Sequence, residues 1–209
     1  MKRFEQEMVR GWLHEPAGGA GPRPAIALTH GAGSNCDAPL LKALAEKFAE
    51  AGWSALRFDL PYRQARAKGP PFPAQAARDR EGIERAAQAL REIADGKIFL
   101  GGHSYGGRQT TLAAAENPRL AAALLLLSYP LHPPGKPERA RTDHFAKLQT
   151  PALFLHGTRD AFGSAEEIKA ALKLIPARAE LEIFEGAPHG LPASAARRMV
   201  DLFLQFVAI

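Results

Sequence analysis

Short apolar runs alternating with longer stretches of helical spacing constrain this chain more than any other feature. Residues 25–29, 54–60, 97–101, 121–129 and 151–156 are each compact and apolar, and each stops at glycine, proline or a polar loop. Such runs read as strands covered on both faces. Between and after them, Leu40, Leu41, Leu44, Ala45 and Phe48 recur at helical intervals, as do Ile83, Ala86, Ala87, Leu90 and Ile93. Ile168, Ala171, Leu172 and Ile175 form a third such face behind Ser164, a predicted N-cap with Glu167 three residues on. Met199, Leu202, Phe203, Phe206 and Val207 form the last. The alternation predicts an α/β fold, a doubly wound and mostly parallel sheet with helices on both faces. In such sheets sites lie beyond the carboxyl ends of the strands.

The remaining segments fit around that frame. Residues 8–13 read as a short edge strand and 16–24 as a glycine- and proline-rich loop. Residues 61–73 and 130–142, rich in proline and basic side chains, read as irregular connections at strand ends, and 143–148 as a short helix. The strand over 121–129 is the most apolar and is expected to be central. A last strand is expected over 179–184, a loop over 186–192 and a closing helix over 193–207. With 209 residues and no helical insertion longer than the proline-rich loops, the reading is one domain over 1–209 without a large cap.

The strand over 97–101 runs into Gly102-His103-Ser104-Tyr105-Gly106, and a helical pattern leaves it. A G-x-S-x-G elbow needs a strained backbone at the serine, and its glycines let strand and helix pass closely. A serine hydroxyl is a poor nucleophile unless a base takes its proton, and an imidazole oriented by a carboxylate suits that work. Asp160 follows in a loop leaving a strand, within Leu155-His156-Gly157-Thr158-Arg159-Asp160, and His189 lies between the last strand and the last helix. Among the rivals, Asp143 precedes the same strand and Asp59 leaves an earlier one. His14, His30, His103, His132, His144 and His156 compete with His189, but its loop follows the acid in chain order. His30 and His156, near strand ends, read as loop braces.

The order Ser, Asp, His at these places resembles the α/β-hydrolase superfamily from about Pro24 onward. The compact size, the His30-Gly31 loop and the Gly-Thr-Arg-Asp and Pro-His-Gly segments are similar to its dienelactone-hydrolase-like branch. The run from Tyr129 to Lys136 resembles a bacterial group of small α/β-hydrolases related to eukaryotic testis-expressed and chromatin-complex proteins. The resemblance implies a nucleophile at Ser104, an acid at Asp160 and a base at His189. It also implies an oxyanion hole from the backbone N–H groups of Tyr105 and Ala32, with Gly31 or Gly33 in place of Ala32 if the loop is shifted. The dienelactone enzymes themselves usually carry a cysteine nucleophile, and Ser104 departs from them.

The expected function is therefore a serine hydrolase acting on small-molecule carboxylic esters or thioesters through an acyl-enzyme intermediate. The alternatives are an interaction module on the same scaffold and a small peptidase. Arg63, Arg66, His132 and Arg141, in the two basic loops, are candidate contacts for an anionic part of the substrate, with solvated surface charge as the competing reading. No metal or phosphate-loop motif is present, so no cofactor is expected. The 27 Lys and Arg against 22 Asp and Glu give a formal charge of +5, but the arginines are scattered, which argues against nucleic acid as a partner. The single cysteine, Cys36, fits a reducing compartment. With no signal peptide or membrane-spanning run evident, the expectation is a cytoplasmic protein.

Overall fold

The computed structural model describes residues 1–18 and 23–208; residues 19–22 of the expected glycine- and proline-rich loop lie outside them. The strands are β1 (Lys2–Gln6), β2 (Val9–His14), β3 (Ala25–Thr29), β4 (Ser54–Asp59), β5 (Ile98–His103), β6 (Leu124–Leu127), β7 (Ala152–Arg159) and β8 (Ala179–Pro188). They form one sheet in the order β1-β2-β4-β3-β5-β6-β7-β8. From β4 to β8 every neighbouring pair is parallel, while β2 is antiparallel to both β1 and β4. The helices are α1 (Pro39–Glu50), α2 (Pro61–Ala65), α3 (Ala76–Ile93), α4 (Tyr105–Glu116), α5 (Ala165–Leu172) and α6 (Ala196–Ala208).

Strand alternation divides the core in two. Ala25 and Ala27 face α3 and α4, whereas Ile26 and Leu28 face α1 and α6; Leu124, Leu126, Leu125 and Leu127 of β6 split the same way. One cluster holds Ile83, Ala87 and Leu90 of α3 with Ile168 and Leu172 of α5. The other packs Phe48 of α1, Trp53, Phe99 and Phe203 of α6 edge to face or tilted, with centroids 4.7–6.2 Å apart. Each such ring buried contributes about 1.5–3 kcal/mol. Helix ends follow local chemistry. Pro39 occupies the first turn of α1, where its missing N–H costs nothing, and Gly52, at φ 88°, reverses the chain after it. Ser164 and Glu167 form the expected capping box on α5.

Four expectations need correction. The strand expected over 8–13 is Val9–His14 and is not the edge: Lys2–Gln6 pairs outside it, and with Phe4 the one apolar residue among exposed Lys2, Arg3, Glu5 and Gln6 it carries no apolar run. The connection after β4 is not wholly irregular, because Pro61 starts the five-residue helix α2 instead of merely ending the strand. The strand over 121–129 is only Leu124–Leu127, and the region near 143–148 is a 3-10 turn, Phe145–Lys147.

Candidate active site

The chain turns at Ser104 with φ 51° and ψ −116°, a conformation that costs a side-chain-bearing residue about 1–3 kcal/mol. Close packing holds it there. The Ser104 N–H donates to Leu127 O of β6 at 2.9 Å, and the Gly106 N–H donates to His30 O beyond β3 at 3.1 Å. A Cβ on Gly102 would lie 2.6 Å from the Gly107 nitrogen, and one on Gly106 would lie 2.6 Å from His30 O. Both glycines are required by neighbouring backbone.

Two adjacent strand ends bring up the partners. At Gly157, β7 approaches β8 so closely that a Cβ would sit 2.2 Å from Ala187 O, and the register then shifts. β7 continues to Asp160 and β8 runs through Pro188 directly to His189, with less loop than the sequence suggests. The His189 Nδ1–H donates to Asp160 Oδ2 at 2.8 Å and lies 3.0 Å from Oδ1. The Ser104 hydroxyl donates to His189 Nε2 at 2.7 Å. The three residues thus form one hydrogen-bonded chain with imidazole in the middle.

The surroundings fix each member. Burial works to raise the Asp160 carboxyl, but hydrogen bonds from His189 and the Phe162 amide, with the charges of His189 and His156, outweigh it and hold the carboxyl below its ordinary value. The Phe162 ring lies against His189, centroids 4.2 Å apart and 31° from parallel. His156 donates through Nε2 to Gly163 O at 2.8 Å, bracing the loop that carries Asp160. His30 receives the Leu60 N–H at Nε2 and donates from Nδ1 to Gly31 O; burial lowers its pKa to about 4, so it remains a neutral brace. Cys36 is buried and its thiol pushed up to about 12 by burial and by Asp59 and Asp37, far from thiolate chemistry.

Ser104 opens onto a cleft of about 510 Å³ whose lining includes Ala32, Tyr105, Phe72, Phe162, Arg108 and Arg141. The four expected substrate contacts separate here. Arg141 lines the cleft; Arg66 stands behind it with its guanidinium 4.2 Å over the Phe72 ring. Arg63 does not face the cleft. It is 5% exposed, and its guanidinium donates to the carbonyls of Ala32, Ser34, Arg66 and Gly69. His132 is also buried, between Pro133 O and the Glu167 carboxylate.

Three further residues went unnoticed in the sequence. Arg108 stands one helical turn beyond Ser104, so i+4 spacing from the elbow could have found it. Tyr62 lay in a segment read as irregular. Asp79, fully buried in the first turn of α3, has no sequence signal beyond being an acid there.

A family model described as an alpha/beta hydrolase domain matches residues 22–199. The chain belongs to the α/β-hydrolase family. Part of this α/β-hydrolase is 33% identical over 105 residues to a Salmonella typhimurium protein with the inferred name carboxymethylenebutenolidase, and likewise to one from Escherichia coli. Each match covers 46% of this chain and 37% of the relative, so the α/β-hydrolase spans well under half of those proteins' length. The same fold occurs in Est1E from Butyrivibrio proteoclasticus with ferulic acid bound (TM-score 0.79, 19% identity, 100% of both chains). It occurs too in dienelactone hydrolase from Anabaena variabilis (TM-score 0.75, 20% identity, 97% of this chain and 94% of that one). Among the described residues no helix is long and apolar enough to cross a membrane.

Proposed function

We propose that the chain is a serine hydrolase of small carboxylic esters or thioesters. The observation that carries this reading is the Ser104–His189–Asp160 chain, with contacts of 2.7 and 2.8 Å, whose Ser104 lines a cleft. Ser104 Oγ attacks the acyl carbon and its proton passes to His189 Nε2, while Asp160 keeps Nδ1 protonated and stabilises the imidazolium. The bond from carbon to the leaving oxygen or sulfur then breaks, and the leaving group takes the Nε2 proton. Water repeats the sequence on the acyl-enzyme and releases the acid.

The developing oxyanion is received by the N–H of Tyr105, which as first residue of α4 has no intrahelical acceptor, and by the N–H of Ala32. Ala32 is favoured over Gly31 and Gly33 by its loop. The Ser34 N–H closes a turn onto Gly31 O, Tyr62 and Arg63 hold the carbonyls behind it, and Ala32 itself lines the cleft. A fluorophosphonate probe should label the protein and not Ser104→Ala; equal labelling of both refutes the assignment.

The substrate carries an anionic group as well. Arg108 Nε and Gln109 Nε2 are buried without a hydrogen-bond partner among the described residues, both residues line the cleft, and Arg141 stands there too. Burial and the charge of Arg108 lower the Arg141 pKa, so an anion between them relieves two cations at once. Arg141→Gln should raise KM for a carboxylated ester about tenfold or more and leave a neutral ester of the same length within twofold. Equal effects on both esters refute the anionic reading.

A further inference from the structure

Asp79 on α3 is fully buried, and burial raises its carboxyl above the ordinary value. A carboxylate in such a place costs free energy that an apolar side chain would not. What it provides is two bonds in fixed directions. Oδ1 accepts the Tyr62 N–H at 3.0 Å, and Oδ2 accepts the Tyr105 hydroxyl at 2.8 Å.

Each tyrosine leads to one side of the site. Tyr105 follows Ser104 directly, and its backbone N–H is the first proposed oxyanion donor. Tyr62, whose ring meets that of Tyr105 edge to face at 5.8 Å, places its hydroxyl 2.9 Å from Ala32 O and 3.2 Å from Gly31 O. A trans peptide is planar, so holding the Gly31 carbonyl aims the Ala32 N–H the opposite way. Arg63, beside Tyr62 on α2, grips the same loop through Ala32 O and Ser34 O.

We infer that Asp79 is a positioning residue that sets both amides of the oxyanion hole together, through Tyr105 on one side and through Tyr62 and the Gly31–Ala32 peptide on the other. The inference rests on the hydrolase reading above. Asp79 touches no reacting atom, and its influence is felt only where negative charge develops on the carbonyl oxygen. The binding of uncharged substrate is therefore little affected.

The test uses p-nitrophenyl acetate turnover and a trifluoromethyl ketone, whose hemiketal with Ser104 carries the oxyanion. Asp79→Ala should lower kcat about tenfold or more with KM within twofold, and weaken the ketone in parallel. Asp79→Asn should restore most of the loss, because its carbonyl can accept the Tyr62 N–H while its amide donates to Tyr105 Oη. Tyr105→Phe, which keeps the backbone donor and the ring, should lower kcat about threefold or more and covers the case in which Asp79→Ala fails to fold. Circular dichroism and a thermal melt establish folding. Folded Asp79→Ala at parental kcat, a loss confined to KM, an Asn variant as poor as Ala, or Tyr105→Phe at parental kcat each overturns the inference. Undiminished turnover by Ser104→Ala would refute the hydrolase reading instead, so the two failures are separable.

Discussion

His103 donates from Nε2 to the backbone carbonyl of His189 at 3.0 Å, so the residue immediately before Ser104 holds the segment that carries the His189 imidazole. The two rings lie 5.3 Å apart, and burial lowers the His103 pKa, keeping it neutral. His103→Ala should lower kcat about tenfold while costing only about 1 kcal/mol of stability, the net worth of one hydrogen bond. Steady-state kinetics and urea unfolding on one preparation check it; a change in stability with unaltered kcat would contradict it.

Asp160→Asn keeps the shape of the site but offers the imidazole a donor as well as an acceptor. The wrong tautomer becomes competitive, and kcat should fall by about 10³–10⁴. Acid behaviour should change too. The carboxyl is held below its ordinary value, so its stabilisation is present above the unfolded pKa of about 4 and is lost as pH falls through the lower folded value. The parent should thus lose stability relative to Asp160→Asn on acidification below about pH 4, as followed by thermal melts across pH.

Gly102→Ala tests the elbow. The added methyl would meet backbone at 2.6 and 2.7 Å, which no rotamer can relieve. Destabilisation of at least about 2 kcal/mol is expected, together with loss of turnover from whatever folds. Ala at Gly190, where the same methyl meets nothing within 4 Å, serves as the control for stability.

His132 faces an acceptor at each ring nitrogen, Pro133 O at 2.9 Å and Glu167 Oε2 at 3.3 Å. The Pro133 carbonyl, with the Glu167 carboxylate beside it, raises its pKa against the opposing effects of burial and of the Arg141 charge. A raised pKa contributes stability below the unfolded value of about 6.5 that is lost as pH rises through the folded one. Melting temperature should therefore decline between about pH 6 and pH 8 in the parent and less in His132→Gln. Identical slopes would show that the ring is not charged in the folded protein.

Much of this was legible because burial imposes a pattern. Strands covered on both faces must be apolar throughout, as Leu124 to Leu127 are, and helices must show a stripe, as Phe203 and Phe206 do. The elbow was legible because backbone contact forbids any side chain at Gly102 and Gly106. Elements whose reasons lie elsewhere in the chain stayed hidden. Lys2–Gln6 is held by pairing with Val9–His14 and has little to bury on its own. Arg63 reads as a surface charge, and only the converging carbonyls of Ala32, Ser34, Arg66 and Gly69 draw it inside. Asp79 owes its place to two tyrosines from other segments.

The lining of the cleft includes Pro71, Pro73 and Pro130. Proline has already given up rotation about φ, so these stretches have little backbone entropy left to surrender when a ligand settles between them. Association should then proceed against a stiff frame, with a rate governed by encounter and water release, and selection should depend on shape and charge already in place before the ligand arrives.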